Sequence, residues 1–301
     1  MPGPADIPAS PPPAAGSRWR DLRKRVLSAA LLGPAALLCI WLGAEAWTAL
    51  MAVAVAVLAW EWVRLCGFST RRLPGLVVPL AVLLAGALAV ADQWAAALAL
   101  LPGGAGLVWA LARLGPPAPP PGAVRSHGIT PGTWLGFGVI YIGLAGLALI
   151  HLRGDAGAGL RNVLFLFLVV WASDIGAYMV GRWLGGPKLA PAISPNKTWS
   201  GSAGGLLSAM AAGGLAAYLM ESAGVAVPLP KVLLVAFILG LLAQAGDLFE
   251  SWIKRRFHVK DTSSLIPGHG GLLDRLDAVL AAAPAAALLG ILLGPGEALW
   301  H

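Results

Sequence analysis

From Ser251 to Asp277 the chain reads S-W-I-K-R-R-F-H-V-K-D-T-S-S-L-I-P-G-H-G-G-L-L-D-R-L-D, gathering much of the charge of a protein that is only 12% charged. The spacing sorts that charge. Asp247, Ser251 and Lys254 stand at i, i+4 and i+7, so a helix aligns a carboxylate, a hydroxyl and an ammonium on one face, with Glu250 at its margin. Asp274 and Asp277 follow at i and i+3, directly after the turn Pro267-Gly268-His269-Gly270-Gly271. Three carboxylates brought together demand a cation, and magnesium suits a few carboxylates completed by water and phosphate oxygens. The glycines let backbone N–H groups approach a phosphate, while Lys254, Arg255, Lys260 and Arg275 could neutralise a polyphosphate. Simpler roles use the same residues: Asp247 paired to Lys254 at a helix end, Asp274 and Asp277 on a helix dipole, and His269 closing a loop in water.

A second polar segment lies upstream. Asp174, Tyr178 and Gly181 recur at i, i+4 and i+7 within an apolar run, where a buried acid marks a polar cavity or a partner helix. The loop S-P-N-K-T-W-S-G that begins at Ser194 offers Ser194, Lys197 and Thr198 beside a helix start, either as a phosphate cradle or as a helix cap.

A bilayer must position these groups. The chain is 58% hydrophobic with mean hydropathy +0.77, which leaves too little polar surface for a water-soluble globule. It reads as an all-α polytopic integral membrane protein. Apolar runs of about 17–25 residues, the length a helix needs to cross a core of about 30 Å, fit nine times. They lie near 26–43, 47–65, 75–91, 94–113, 133–151, 161–183, 201–220, 231–250 and 273–294. Abundant Ala, Leu and Gly without apolar/polar alternation favours helices over a lipid-facing barrel. With the N-terminus in the cytoplasm, only Arg153, Arg161 and Lys231 of the 21 Lys and Arg residues fall outside. The net charge of +7 thus reflects topology and anionic headgroups, and nucleic acid explains it poorly. Both polar segments then face the cytoplasm.

Residues 1–17, rich in Pro and Ala, read as a disordered tail. Residues 18–130 hold the first four helices and a Pro-rich cytoplasmic loop opening at Gly115, and 131–301 form the region that carries the polar motifs. The first apolar run exceeds the roughly 7–15 residues of a signal-peptide core, so it reads as a retained helix. Cys39 and Cys66 have neither metal spacing nor a disulfide framework around them.

In register, Ser251, Lys254-Arg255, Lys260-Asp261, Pro267, His269-Gly270-Gly271 and Asp274-Arg275-Leu276-Asp277 resemble the signature of the CDP-diglyceride synthetase family, the membrane-bound phosphatidate cytidylyltransferases. Asp174, the S-P-x-K-T-W from Ser194 to Trp199, and the G-D-x-x-E-S run ending at Ser251 are similar to that family's upstream features. The resemblance covers about 161–294; the first four helices match only in hydrophobic character. Ser200 stands where the family often has Glu, which puts any role of that carboxylate in doubt.

The resemblance implies a homodimeric enzyme of the inner (plasma) membrane that turns CTP and phosphatidic acid into CDP-diacylglycerol and pyrophosphate. Magnesium is implied, with potassium as a second cation. Catalysis would fall to Asp247, Lys254, Asp274 and Asp277, with Asp247 and Asp274 as metal ligands. Substrate contacts would come from Asp174, Ser194, Lys197, Thr198, Ser251, Arg255, Lys260, Asp261, His269, Gly270, Gly271 and Arg275. Two anions must approach one another in this chemistry, so charge repulsion is its central obstacle. A transporter would also bury Asp174 and Asp247, but does not account for the dense 251–277 motif on one side of the membrane. A CDP-alcohol phosphotransferase would carry a D-G-x-x-A-R pattern that this chain lacks. A CTP-dependent enzyme acting on another lipid phosphate remains open.

Overall fold

Glycine and alanine dominate the helix contacts, so the helices come close enough for backbone to meet backbone. In α6 (Gly159–Leu184) and α7 (Trp199–Ser222), a Cβ on Gly201 would lie 2.8 Å from the Ala177 carbonyl oxygen and 3.2 Å from the Gly181 Cα. Only hydrogen fits there, as is usual where small residues bring membrane helices together.

The computed structural model describes residues 30–299 apart from 32, 115–129 and 223–226. The tail at 1–17, the basic residues before the first helix, the start of that helix and the Pro-rich loop at Gly115 lie outside the described residues. Among the described residues the other helices are α1 (Gly33–Leu42), α2 (Ala44–Leu65), α3 (Val77–Val90), α4 (Trp94–Leu114), α5 (Pro131–Gly154), α8 (Leu229–Arg256) and α9 (Leu273–Leu293). Seven of these nine helices, α2 and α4 through α9, are long and apolar enough to cross a membrane. The protein is therefore polytopic and nearly all helical, as the hydropathy predicts.

Two details depart from the expected spans. α3 has 14 residues, which at 1.5 Å per residue reaches about 21 Å. It stops short of a full crossing because the chain turns at Ala91–Gln93, with Asp92 at φ 60°. α8 instead runs past 250 to Arg256, so Ser251, Lys254 and Arg255 are helical. A further element was not foreseen: β1 (Lys188–Ala190) pairs antiparallel with β2 (Ser194–Thr198), Lys188 opposite Thr198 and Ala190 opposite Ser194.

α5 is the internal post. It packs against α2, α3 and α4 on one side and against α9 and α6 on the other, and much of it is buried. Two buried tryptophans of α2 fasten to it: Trp47 Nε1 donates to the Leu149 carbonyl at 2.9 Å and Trp62 Nε1 to the Trp134 carbonyl at 2.8 Å. Around Trp62 and Trp134 the rings of Phe137, Tyr141, Phe249 and Trp252 pack edge to face, tilted or stacked. Each such ring buries about 150–250 Å², so this cluster makes a rigid floor beneath the C-terminal end of α8. Outward, the helices show large apolar side chains such as Trp41, Trp183 and Leu292, as a lipid-facing surface requires.

Candidate active site

α8 brings Asp247 and Lys254 to one end of the bundle, where α6, the β1–β2 hairpin and α9 supply the other charged groups of the two polar segments. There a cavity of about 660 Å³ opens between α6, α7, α8 and the β1–β2 hairpin. Asp174 and Tyr178 reach it from α6, Lys188 and Lys197 from the hairpin, and Gln244 and Asp247 from α8. Lys197 Nζ meets Asp247 Oδ2 at 2.5 Å, which joins the upstream motif to the downstream one. Thr198 caps α7 by accepting from the Gly201 N–H at 3.0 Å, and Ser200 Oγ donates to the Gly185 carbonyl. Ser200 thus closes the loop behind α6, and Thr198 fulfils the capping alternative.

About two turns along α8, Lys254 makes the second pair. Its ammonium lies 2.8 Å from Glu250 Oε2 and 2.8 Å from Asp274 Oδ1, with Glu250 only 1% exposed. The other oxygen of Asp274, Oδ2, accepts from the Thr262 N–H at 2.9 Å, the Thr262 hydroxyl at 3.0 Å and the Gly271 N–H at 2.8 Å. A carboxylate so fully solvated by fixed donors is held in one orientation. Asp277 interacts electrostatically with Asp247, Glu250 and Lys254, and Asp174 with Asp247, Asp277 and Lys197. Five carboxylates and three ammonium groups, of Lys188, Lys197 and Lys254, therefore share one end of the bundle.

The glycine turn earns its residues from geometry. Gly270 has φ +85°, the left-handed region that favours glycine, and its carbonyl accepts from the Ile266 N–H at 2.9 Å. A Cβ on Gly271 would run into the Thr262 hydroxyl and lie 2.7 Å from Glu61 Oε1. Arg275 Nε and Nη2 donate to the His269 carbonyl at 2.9 and 2.6 Å, which pins the turn to α9. Arg255 Nε donates to the Ile193 carbonyl at 3.2 Å, which ties the hairpin to α8.

The expected site residues divide accordingly. Asp174, Lys197 and Asp247 share the cavity; Lys254, Asp274 and Asp277 form the adjoining cluster; Ser194 and Thr198 stand on the hairpin, and Ser251 faces half-buried from α8. Arg255, Lys260 and Asp261 are exposed at the rim, and Arg255 and Arg275 hold backbone. Asp247 and Asp274 are each engaged by a separate lysine. Among the described residues no three His, Cys, Asp or Glu side chains form a closed metal cage.

Sequence reasoning missed three contributors. Glu61 of α2, wholly buried, meets the start of α9. Thr262 supplies two donors to Asp274. Gln244 binds the Ser173 hydroxyl and both the hydroxyl and carbonyl of Ser202, locking α6, α7 and α8 together below the cavity. An acid within an apolar span, one turn from its C-terminal end, was the available signal for Glu61.

Comparison with known proteins bears on this geometry. The sequence model of the Cytidylyltransferase family matches residues 23–293, nearly the whole chain. The chain belongs to the cytidylyltransferase family. A phosphatidate cytidylyltransferase of Brucella abortus biovar 1 (strain 9-941) is 36% identical over 286 residues, covering 93% of this chain and 97% of that protein. One from Brucella suis biovar 1 (strain 1330) is 37% identical over 277 residues, 90% and 93% of the respective chains. A phosphatidate cytidylyltransferase of Bacillus subtilis (strain 168) is 42% identical over 145 residues, 48% of this chain and 53% of its own. As a family member the protein is a membrane-embedded nucleotidyltransferase that uses CTP, and the match extends into the first four helices.

Proposed function

We propose that this cytidylyltransferase acts on phosphatidic acid, forming CDP-diacylglycerol and pyrophosphate. One observation carries the reading: a cavity lined by Lys197 and Asp247 and, two turns further along α8, the Lys254–Asp274 cluster lie at one end of an apolar bundle. Such a site takes a nucleotide from water while the acyl chains of its co-substrate stay in lipid. The names of the Brucella relatives, which align along almost their whole length, favour the same substrate.

A phosphate oxygen of phosphatidic acid forms a bond to the α-phosphorus of CTP as the bond from that phosphorus to the bridging oxygen of pyrophosphate breaks. The lipid phosphate is already ionised at neutral pH, so no base need remove a proton. Lys197 and Lys188, on the hairpin, are placed to take the triphosphate from the cavity side. Lys254 sits deeper and can take charge that develops on the leaving group. The fixed N–H and hydroxyl donors around Asp274 prevent its reorientation as the anions arrive.

The residues fit a divalent cation. Asp247 and Asp274 offer the hard carboxylate oxygens that magnesium takes, and since no three His, Cys, Asp or Glu side chains converge among the described residues, water and substrate oxygens would complete the shell. Asp247 and Asp274 would hold magnesium, with Asp277 in support and potassium as an accompanying cation. When bound, the metal would withdraw charge from the α-phosphate. The basic residues Arg255, Arg256, Lys260 and Arg275 at this end support a cytoplasmic site, with the N-terminus on the same side, in the inner membrane.

The test is conversion of labelled CTP and phosphatidic acid by purified protein with magnesium, beside Asp274→Asn. Loss of one preorganised charged group costs about 10²–10³ in turnover, so that variant should fall at least so far while remaining folded. Absence of product from folded wild type, with product formed from another lipid phosphate in a panel, would move the assignment to that substrate.

A further inference from the structure

α9 begins without a cap of its own. Its N-cap residue is Leu272, whose side chain accepts nothing, and the terminal amides of a helix must find acceptors elsewhere when buried. The acceptor comes from α2, more than two hundred residues earlier. Glu61 is wholly buried, and its Oε2 accepts from the Leu273 N–H at 2.7 Å while Oε1 accepts from the Leu272 N–H at 2.9 Å and the Ser263 hydroxyl at 2.6 Å. One carboxylate thus caps α9 and grips the loop that precedes it. The next amide in the series, Gly271 N–H, goes to Asp274.

We propose that Glu61 is a positioning residue for nucleotidyl transfer: by taking the Leu272 and Leu273 amides it leaves Asp274 directed at Lys254 and Thr262. Asp274 follows Leu273 directly and accepts from the Gly271 N–H of the same helix start. With Glu61 gone, two buried N–H groups lack a partner, and Asp274 is drawn toward them and away from Lys254. A buried carboxylate costs too much to be kept without its donors, and here all three donors belong to the segment that carries the active-site acid. Gly271 belongs to the same device, since a side chain there would push against Glu61 Oε1 and Thr262 at once. The N-terminal helices therefore supply part of the machinery as well as a lipid-facing scaffold. This inference rests on the transferase reading.

Glu61→Gln keeps the shape but presents an amide where two acceptor oxygens are needed. Its kcat should fall about tenfold to a hundredfold, the scale of a small misplacement of a reacting group, while KM for CTP stays near wild type because the cavity lysines are untouched. Amide hydrogen exchange in 261–273 should quicken while the α6–α7 region keeps its protection. That arm needs no turnover. If wild type turns over no lipid phosphate, the substrate reading fails while the exchange result still reports on the clamp. Unchanged kcat in Glu61→Gln, or a parallel loss of kcat, CTP affinity and thermal stability, would overturn a positioning role. Should Glu61→Gln not fold, Ser263→Ala decides: it removes one donor from the loop side, and lower kcat at constant KM supports the clamp, whereas wild-type kcat overturns it.

Discussion

Lys254 is the residue on which most of the buried charge depends. Its side chain is 15% exposed, against 1% for Glu250 and 5% for Asp274, so it neutralises two acids that have little water. Lys254→Met should cost about 3–5 kcal/mol of stability, the usual result of stranding a buried charge, read as a lower Tm in detergent. Adding Glu250→Gln to it should recover part of that loss. Lys254 and both acids of the D-R-x-D run were legible in the sequence because charge is scarce and the spacing is helical. Glu61 was not, because a hydropathy reading treats a lone acid in an apolar run as a tolerated interruption. What it bonds is fixed by contacts across the bundle, which no local spacing encodes.

At the level of elements, the long helices were legible from apolar length, and α8 was placed with its charged face intact. The hairpin escaped because S-P-N-K-T also reads as a helix approach, and its partner strand is only three residues long. The turn between α5 and α6 shows a comparable dependence on distant backbone. Asp155 Oδ1 accepts from the Gly157 and Ala158 N–H groups, both at 2.8 Å, and Oδ2 from the Gly296 N–H beyond α9 at 2.7 Å. Partial burial raises this carboxyl, but the N–H groups of Gly296, Ala158 and Gly157, with the charge on His151, outweigh that and hold it below the usual carboxylate range. Its contribution is therefore present above the ordinary carboxylate pKa and disappears as pH falls through the depressed folded value. Tm measured against pH should show wild type losing stability in that acid window, while Asp155→Asn, less stable at neutral pH, shows a flatter curve.

Across the whole molecule, the charge bias that suggested a sided protein agrees with a site gathered at one end. Lys260 is exposed at that end and reports its side of the membrane. With Cys39 and Cys66 replaced by Ala, Lys260→Cys should react with a membrane-impermeant maleimide in inverted vesicles or opened cells and stay unlabelled in intact ones. Labelling of intact cells would reverse the orientation. Trp47 and Trp62, which precede residue 130, bind their helix to α5, which follows it. The Lys197–Asp247 contact adds a consequence for anion entry. Before any reactant arrives, these two groups satisfy each other, so an anion must compete with an internal carboxylate for the lysine. With side chains 27% and 33% exposed the pair is weak, so an incoming anion can open it at little cost and leave Asp247 free to bind elsewhere.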